Sequence, residues 1–516
     1  MEVLSVENLT FAYESGEPQE QQVLRHVNLT VEKGEMVLLC GPCGCGKTTL
    51  LRLLKEEIRP AGRMSGTITS HYDSAQIGYL FQNPDNQIVS RTVEEELVFG
   101  GENLGMSRDE MKRSVAELTA YLGMEDMLSM NPVKLSGGQK QMLNLASLLI
   151  MKPKVLLLDE PVSQLDPVST WEFLNLLRKI REDLSLTILV AEHHLDAFLQ
   201  DADKVVYLER GSMEYEGNRD AFIRYLWQQD KKFSYSLPET VRMAKTYGMS
   251  EPYPLRVGEL AKRLSPDQRK ELLEETTKDR QEHETVLSVK SGYFRYDKRG
   301  QDVLANLTLH LQRGRIYALI GGNGSGKSTL FSVLSGYRRL YKGKCKVQGR
   351  IGLLPQNPVY AFFKDSLLED CKMIADEERI RKLADEEPFF EEIPGWFDKN
   401  PLDLSGGQMQ KAAIFKTLLS DPDVLLMDEP VKAMDGYEKY CFLQLLQELE
   451  KKGKTILFIS HDLEFVQSAA WECLFLFDGK ISVQEPVNKM FTNNRFYTTV
   501  LGRIRSMEED EYASYH

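Results

Sequence analysis

Short runs of apolar residues recur along the chain and predict buried strands. Met36–Cys40 and Ile316–Ile320 are apolar throughout, and a glycine follows each of them. Leu186–Val190 and Thr455–Ile459 are two further runs of this kind. Strands that are covered on both faces have this continuous pattern, so the runs indicate a core sheet of parallel strands.

Other segments alternate apolar and polar residues, which predicts antiparallel strands with one exposed face. In the first half of the chain these segments are Val3–Val6, Leu9–Tyr13 and Val27–Val31, with a polar turn rich in Glu, Gly and Pro before the last. The second half repeats them as Val286–Val289, Tyr293–Tyr296 and Leu307–Leu309. A helix is predicted from Ser107 to Leu122, because Ser107 and Glu110 have the spacing of a capping box.

Two of the apolar runs lead into a glycine-rich loop that precedes helix-forming residues. The loops Gly41–Thr48 and Gly321–Ser328 both fit the spacing G-x-x-x-x-G-K-[ST]. Glycines let successive backbone N–H groups turn toward one anion, and the following helix adds its positive N-terminal end. We therefore predict two phosphate-binding loops. Their lysines would reach the β- and γ-phosphates, and their last hydroxyls would contact Mg²⁺.

Two apolar runs end in a pair of carboxylates. Lys154–Leu158 is followed by Asp159 and Glu160, and the second half has Asp428 and Glu429 after a similar run. An aspartate at the end of a buried parallel strand is well placed to hold Mg²⁺ through water. The adjacent glutamate would orient and polarise an attacking water. The alternative is a pair of acids that cap a helix.

The motif Leu-Ser-Gly-Gly-Gln occurs twice, as Leu135–Gln139 and Leu404–Gln408. Its hydroxyl, glycines and helix-forming sequel suit an anion at a helix N-terminus. Each copy lies 23 residues before its strand aspartate when counted from the serine. The two loop lysines are 280 residues apart and the two strand aspartates 269, so the chain contains a duplicated domain.

Together these motifs resemble those of ATP-binding-cassette (ABC) ATPases, with two cassettes fused in tandem. The resemblance implies an α/β fold with two P-loop NTPase domains. Each would have a mostly parallel core sheet, an antiparallel β subdomain and a helical subdomain. The expected boundaries are residues 1–220 for the first domain, 221–284 for a tail and linker, and 285–516 for the second domain.

The resemblance also assigns roles to single residues. His193 and His461 match the switch histidine that contacts the γ-phosphate. Gln82 and Gln356 match the glutamine whose loop links Mg²⁺ to a membrane partner. Tyr13 and Tyr296 match the aromatic residue that stacks on adenine, although a tyrosine at a strand end is more often simple packing.

The resemblance implies that the two cassettes close head to tail on two ATP molecules. Lys47, Asp159 and Glu160 would then share a site with Ser405–Gln408, and their counterparts would share one with Ser136–Gln139. Asp166 and Asp435 match the loop that crosses between the sites. Because neither half departs from the pattern at a catalytic position, we predict two competent sites.

The expected site residues form three sets. The catalytic set is Glu160, Glu429, His193 and His461. The set that binds ATP is Tyr13, Gly41, Gly44, Gly46, Lys47, Thr48, Thr49, Gln82, Ser136, Gly137, Gly138, Gln139, Tyr296, Gly321, Gly324, Gly326, Lys327, Ser328, Thr329, Gln356, Ser405, Gly406, Gly407 and Gln408. The set near Mg²⁺ is Thr48, Gln82, Asp159, Ser328, Gln356 and Asp428.

A closer resemblance comes from Gly78–Gln87 and Thr92–Gly100, which look like the ATPase subunit of energy-coupling-factor (ECF) transporters, importers of vitamins and metal ions. In that family this segment helps to form a groove for a transmembrane subunit. The glutamates at 94, 95 and 96 could pair with its arginines, or could simply be an acidic first turn of a helix. Asp365, Glu369 and Asp370 would substitute in the second half. A separate membrane protein would bind the transported substrate.

Composition limits the location and the partners. The 516 residues are 42% hydrophobic and 27% charged, with no run long enough to span a membrane and no signal peptide. The expected location is the cytoplasmic face of the cell membrane, through a partner. A net charge of −13 argues against nucleic-acid binding.

Cys43 and Cys45 lie inside the first loop. Their oxidation could block ATP binding, or they are simply two small residues that the loop tolerates.

Two other functional classes carry cassette motifs of this kind. A soluble ATPase that acts on ribosomes is the main alternative, but the basic inter-cassette arm expected for RNA contact is missing. A DNA-repair cassette would carry a long coiled-coil or zinc insertion, which is absent from the sequence.

Overall fold

A computed structural model describes residues 1–14, 22–273, 284–494 and 497–514 of the chain. The chain divides into two compact units, Met1–Pro238 with Glu251–Tyr253, and Glu239–Ser250 with Pro254–His516. Each unit contains one phosphate-loop sequence, one Leu-Ser-Gly-Gly-Gln motif and one carboxylate pair.

The first unit contains two sheets and several helices. Its strands are β1 (Glu2–Tyr13), β2 (Gln22–Glu32), β3 (Met36–Cys40), β4 (Gly62–Ser70), β5 (Ile77–Leu80), β6 (Val155–Asp159), β7 (Thr187–Ala191), β8 (Lys204–Glu209) and β9 (Ser212–Gly217). Its helices are α1 (Lys47–Leu53), α2 (Val93–Asn103), α3 (Arg108–Leu122), α4 (Gly137–Ile150), α5 (Pro167–Leu184), α6 (Leu195–Phe198) and α7 (Arg219–Gln228).

The core sheet of the first unit has the strand order β5-β6-β7-β3-β8-β9. Its strands are parallel except β9, which pairs antiparallel with β8. A separate antiparallel sheet has the order β2-β1-β4. The continuous apolar runs are fully buried, as their pattern predicts.

The second unit begins with α8 (Glu239–Thr246), α9 (Val257–Arg263) and α10 (Pro266–Leu273) and then repeats the plan of the first. Its strands are β10 (Thr285–Phe294), β11 (Leu304–Gln312), β12 (Ile316–Ile320), β13 (Lys342–Val347), β14 (Ile351–Leu354), β15 (Val424–Asp428), β16 (Thr455–Ile459), β17 (Glu472–Phe477) and β18 (Lys480–Pro486). Its other helices are α11 (Lys327–Leu334), α12 (Leu367–Lys372), α13 (Glu377–Glu386), α14 (Gly406–Leu419), α15 (Gly436–Lys451), α16 (Leu463–Ala469), α17 (Val487–Asn493) and α18 (Val500–Ser514).

The sheets of the second unit have the same connectivity as those of the first. The orders are β14-β15-β16-β12-β17-β18 and β11-β10-β13. The predicted α/β class with parallel core sheets and antiparallel subdomains is therefore confirmed in both units. In each core sheet the phosphate-loop strand and the carboxylate strand run parallel on either side of one shared neighbour, so their carboxyl ends open on the same edge.

The first two predicted strands are one long strand, β1. Its pairing with β2 shifts register between Val6 and Leu9, and Asn8 within the shift has a φ of 49°. A bulge of this kind breaks the alternation of apolar and polar residues without ending the strand. The polar turn predicted before β2 lies largely outside the described residues.

The segment between the two motif-bearing halves contains packed helices. Leu260 of α9 and Leu264 directly after it form a small apolar cluster with Ile504 of α18, and Val257 and Val500 lie against it. The helix α10 follows α9 closely, and its described part ends at Leu273. None of the helices in the described ranges combines the length and the apolar character that a bilayer crossing needs.

Candidate nucleotide-binding sites

The first phosphate loop has the backbone that its glycines predict. Gly41, Gly44 and Gly46 all have positive φ, at 152°, 76° and 106°. A Cβ on Gly41 would lie 2.1 Å from the carbonyl oxygen of Leu208, so only glycine fits there. The loop ends at Gly46, which directly precedes α1, and this places the backbone N–H groups of the first helical turn at the loop.

The loop lysine is folded back into its own loop. Lys47 is 6% exposed, and its Nζ donates to the carbonyl oxygens of Gly41 at 2.8 Å and Pro42 at 3.1 Å. Burial alone would lower the pKa of Lys47, but Cys45, Cys43 and Glu160 nearby raise it above its usual value. The group is therefore a fixed cation at the centre of the loop.

A hydroxyl and a buried carboxylate meet beside this lysine. Thr48 Oγ1 donates to Asp159 Oδ1 at 2.9 Å, and the hydroxyl of Tyr79 donates to Asp159 Oδ2 at 3.0 Å. Burial raises the pKa of Asp159, although both hydroxyl contacts act to lower it. Hydroxyl and carboxylate oxygens are ligands that Mg²⁺ accepts.

Glu160 follows directly and has a left-handed backbone with a φ of 45°. Its Oε2 accepts a hydrogen bond of 2.6 Å from Nε2 of Gln82, and its Oε1 lies 3.2 Å from Nδ1 of His193. Burial would raise the pKa of Glu160, but His193, Lys47 and Gln82 lower it to about 2. The structure thus brings the predicted base, switch histidine and glutamine together around one ionised carboxylate.

The second unit repeats the glycine-rich loop and the hydrogen bond between a loop hydroxyl and the strand aspartate. Lys327 Nζ donates to the carbonyl oxygens of Gly321 at 2.9 Å and Gly322 at 3.0 Å. Ser328 Oγ donates to Asp428 Oδ2 at 3.0 Å. Gly321, Gly324 and Gly326 have φ values of 152°, 78° and 105°, which match the first loop closely.

The glutamate of the second unit has a different environment. Glu429 also has a left-handed backbone, with a φ of 52°. Burial and the adjacent Asp428 raise its pKa to about 7, against the effect of Lys432 and Lys327. His461 faces it with Nε2 at 3.4 Å. Gln356, Glu429 and His461 line a cavity of 370 Å³ that also includes the loop residues and Tyr296.

The two predicted adenine-stacking tyrosines occupy equivalent positions. The hydroxyl of Tyr13 is 2.9 Å from Oγ1 of Thr49, and that of Tyr296 is 2.9 Å from Oγ1 of Thr329. Both rings are partly exposed, Tyr13 by 39% and Tyr296 by 56%. Each therefore offers ring surface next to the phosphate loop while its hydroxyl is anchored to the following helix.

The serine and glutamine of each Leu-Ser-Gly-Gly-Gln motif form a capping box. Ser136 Oγ accepts the N–H of Gln139 at 3.3 Å, and Gln139 Oε1 accepts the N–H of Ser136 at 2.9 Å. Ser405 and Gln408 do the same at the start of α14. Each motif thus begins a helix of 14 residues, as predicted. Its expected role in a site completed by the other cassette stays a prediction.

The two aspartates of the predicted crossing loop cap helices. Asp166 Oδ1 accepts the N–H groups of Val168 and Ser169 at the start of α5. Asp435 Oδ1 accepts the N–H of Glu438 at the start of α15. These contacts give the two aspartates a local role, and their expected role between sites is still a prediction.

The acidic cluster after Gln82 is less available than the sequence suggests. Glu96 is 4% exposed, and its Oε2 accepts the N–H groups of Val89 and Ser90 at 3.0 and 2.8 Å. Glu95 completes a capping box with Thr92. The expectation that all three glutamates could pair with arginines of a partner is therefore wrong for Glu96, whose carboxylate holds the preceding loop.

The corresponding acid in the second unit also points inward. Asp370 is fully buried and accepts the N–H groups of Phe363 and Lys364. It is also 2.7 Å from Nζ of Lys416, whose side chain is 8% exposed. Asp370 therefore cannot substitute for an exposed acid in a partner groove, whereas Asp365 and Glu369 are exposed.

The two thiols of the first loop differ in accessibility. Cys45 is 4% exposed and burial raises its pKa above the usual value, so it is a poor target for oxidation. Cys43 is half-buried. The oxidation hypothesis is therefore restricted to Cys43.

Sequence reasoning missed two polar residues in the first site. Tyr79 donates a hydrogen bond to Asp159, the aspartate predicted to lie near Mg²⁺. The sequence feature that could have indicated it is a hydroxyl inside the otherwise apolar strand β5. Glu192 is a fully buried carboxylate next to the switch histidine, where the second unit has Ser460. Within the described residues, no group of three or more His, Cys, Asp or Glu side chains forms a metal centre. Mg²⁺ with phosphate ligands requires only one or two carboxylates.

The chain resembles known proteins along almost its whole length. The family model described as ABC transporter matches residues 24–163 and 304–432. A putative ABC transporter ATP-binding protein of Bacillus anthracis is 36% identical over 527 positions, covering 97% of this chain and 94% of the relative. A protein of the same description from Methanosarcina mazei is 30% identical and covers 94% and 89%.

Solved structures resemble the fold at lower identity. A structure described as RNase-L inhibitor has a TM-score of 0.63 and 21% identity, covering 94% of this chain and 92% of that one. An archaeal ribosome recycling factor, solved with a ribosomal stalk protein, has a TM-score of 0.62 and 20% identity, covering 94% and 91%. At these identities the likeness concerns the fold alone.

Proposed function

This chain belongs to the ABC transporter family, as a tandem of two ATPase cassettes, and on that premise we propose that it is the ATP-hydrolysing subunit of a membrane transporter. One observation carries the proposal. In each unit, three features lie together at one end of the core sheet. They are a buried loop lysine, a hydroxyl that donates to a buried aspartate, and a glutamate with a left-handed backbone whose carboxylate faces a histidine. A chain that had lost its activity in one half would not need to keep both sets.

ATP with Mg²⁺ is the proposed substrate complex, and the residues fit it. Lys47 and Lys327 are cations that donate to carbonyl oxygens of their own loops, and these bonds can be exchanged for bonds to phosphate oxygens. Thr48 with Asp159, and Ser328 with Asp428, offer the oxygen ligands of Mg²⁺, with Gln82 and Gln356 nearby. Mg²⁺, when bound, offsets the negative charge of the phosphates.

Glu160 and Glu429 are the proposed bases, which orient the water that attacks the γ-phosphate. His193 and His461 contact these glutamates and would hold the γ-phosphate. Catalysis would consist of positioning and charge stabilisation of an in-line transfer to water. The Ser-Gly-Gly-Gln stretches at 136–139 and 405–408 are proposed to complete the site of the opposite cassette, which supplies the head-to-tail pairing.

We further propose that the transporter is an importer of the ECF type, for a vitamin, a precursor or a metal ion, with the chain on the cytoplasmic face of the membrane. The support is the Gly78–Gln87 segment and an exposed apolar patch that follows Gln356 in the second unit. Tyr360 and Phe363 of this patch are 72% and 74% exposed. Such an exposed apolar patch favours an amphipathic helix of a transmembrane partner.

ATP hydrolysis by the purified full chain tests the enzymatic part of the proposal. Glu160→Gln and Glu429→Gln should each lower turnover strongly while ATP binding, measured by calorimetry, persists. The exposed residue Glu182 supplies a matched control, because Glu182→Gln removes a carboxylate from the same unit away from the sites. Full activity in the double Glu160→Gln/Glu429→Gln protein would refute the assignment of the bases.

The transport part is tested by purifying the tagged chain from detergent-solubilised membranes. We expect hydrophobic membrane proteins to co-purify, and Phe363→Asp to abolish their recovery. Phe477→Asp is the matched control, since Phe477 is 65% exposed on β17, outside the patch. Recovery of ribosomes instead of membrane proteins would favour the alternative function and contradict the transport proposal.

A further inference from the structure

A buried carboxylate that the proposed reaction does not use lies beside the switch histidine of the first unit. Glu192 is fully buried, and its Oε2 accepts the N–H groups of His193 at 3.0 Å and His194 at 3.2 Å. Its Oε1 is buried without a hydrogen-bond partner. Glutamate is almost never fully buried unless it is paired, so this residue needs an explanation.

The imidazole of His193 lies between two carboxylates. Its Nδ1 is 3.2 Å from Glu160 and 3.8 Å from Glu192, and the side chain is 3% exposed. Its Nε2 is buried and has no hydrogen-bond partner. Both carboxyl groups thus lie on the Nδ1 side of the ring, which leaves Nε2 as the nitrogen for a ligand.

The second unit has no such carboxylate. Ser460 occupies the position of Glu192, and its Oγ accepts the N–H of Asp462 at 3.1 Å. His461 is more exposed, at 23%, and presents Nε2 rather than Nδ1 to its glutamate. A hydroxyl is therefore sufficient to support the turn, and the turn alone does not explain a buried glutamate in the first unit.

We propose that Glu192 is a positioning residue of the first nucleotide site, whose carboxylate holds His193 with Nδ1 toward Glu160 and Nε2 toward the γ-phosphate. The inference rests on the proposed ATPase function and deepens it. The two sites then differ in the residues that position their histidines. ATP turnover at the first site depends on the carboxylate of Glu192 in addition to those of Asp159 and Glu160, and turnover at the second site has no such dependence.

The test measures ATP hydrolysis by the full chain in two backgrounds. Glu429→Gln leaves the first site as the one that turns over, and Glu160→Gln leaves the second. In the first background, Glu192→Ser introduces the residue of the second unit, and we expect kcat to fall at least about tenfold, with KM for ATP changed less than about twofold. Exposed Glu182→Gln in the same background serves as the matched control and should keep kcat.

Glu192→Gln keeps an oxygen that can accept both backbone N–H groups but removes the charge. Its thermal unfolding should match that of the parent protein, while kcat at the first site falls as it does for Glu192→Ser. This variant keeps the test decisive if Glu192→Ser fails to fold. A Glu192→Gln protein with the parent kcat would show that the side chain only supports the turn, and would overturn the proposal.

The second background separates a local effect from a global one. An equal loss of kcat caused by Glu192→Ser in the Glu160→Gln protein would also overturn the proposal, because the effect would not belong to the first site. A failure of the proposed function itself has a different signature, since the unmutated chain would then not hydrolyse ATP at all.

Discussion

The buried ion pair of the second unit allows a direct test of what holds the loop that carries the exposed apolar patch. Lys416 Nζ lies 2.7 Å from Oδ1 of Asp370 and also donates to the carbonyl oxygen of Ala361 at 2.7 Å. Asp370 in turn accepts the N–H groups of Phe363 and Lys364. The pair therefore ties the loop that carries the exposed apolar patch to α14.

The perturbation is Lys416→Met, which keeps the length of the aliphatic chain and removes the charge. It leaves Asp370 buried without its cation, and breaking a buried pair in this way costs about 3–5 kcal/mol. Because the two backbone N–H groups still stabilise the carboxylate, we expect a cost near the lower limit, about 3 kcal/mol.

The assay is urea unfolding of the full chain, with hydrogen exchange of the peptide at 359–374 to identify the transition of the second unit. For a unit of this size the urea dependence is about 3 kcal/mol per molar, so the midpoint should fall by about 1 M. The double variant Lys416→Met/Asp370→Asn should recover most of the loss, because it removes both charges.

Lys382→Met is the matched control. Lys382 pairs with Glu386 at 3.8 Å, and both side chains are more than 60% exposed, so this change should leave the midpoint where it was. The reasoning is refuted if Lys416→Met unfolds at the same urea concentration as the parent. It is also refuted if the double variant is no more stable than the single one.

Two further predictions concern pH and thiol chemistry. Burial would raise the pKa of Asp462, but Lys439 at 2.7 Å lowers it below the usual value. The ionised Asp462 therefore stabilises the folded chain at neutral pH, and this contribution is lost as pH falls through the folded-state pKa. Asp462→Asn should therefore cost about 1–2 kcal/mol at pH 7 and less below about pH 4, and an equal cost at both pH values in urea unfolding would contradict this. Iodoacetamide at neutral pH should label Cys43 well before Cys45, with ATP protecting Cys43. Peptide mass mapping that finds Cys45 labelled first would disprove the accessibility argument.

The parts of the fold that the sequence predicts are those set by local rules. The five-residue run at Met36–Cys40 must be buried on both faces, and the glycines after it fit only a tight loop, so strand, loop and helix follow in order. Repetition of the whole pattern in the second half makes a chance match negligible. The bulge at Asn8 was not predictable, because a break in the alternation of apolar and polar residues is equally consistent with the end of a strand.

The direction of a polar side chain was harder to predict than its position. Three consecutive glutamates in the first turn of α2 look equivalent in the sequence, yet Glu96 turns inward because the loop at 89–90 folds back over it. Glu192 directly follows the apolar run of β7, and only the assembled site shows that its carboxyl group lies beside the ring of His193. Long-range packing, rather than local preference, decides such cases.

The left-handed backbone at Glu160 and Glu429 has a consequence for the history of the two halves. An L-residue in this conformation costs roughly 1–2 kcal/mol, whereas glycine adopts it without that penalty. Folding stability alone would therefore favour glycine or asparagine at each of these two positions. Since both copies have kept glutamate after the duplication, neither half has drifted toward the form that folding alone would favour. A relative in which one cassette has become a purely structural partner should show the change at this position before the glycines of the loop are lost.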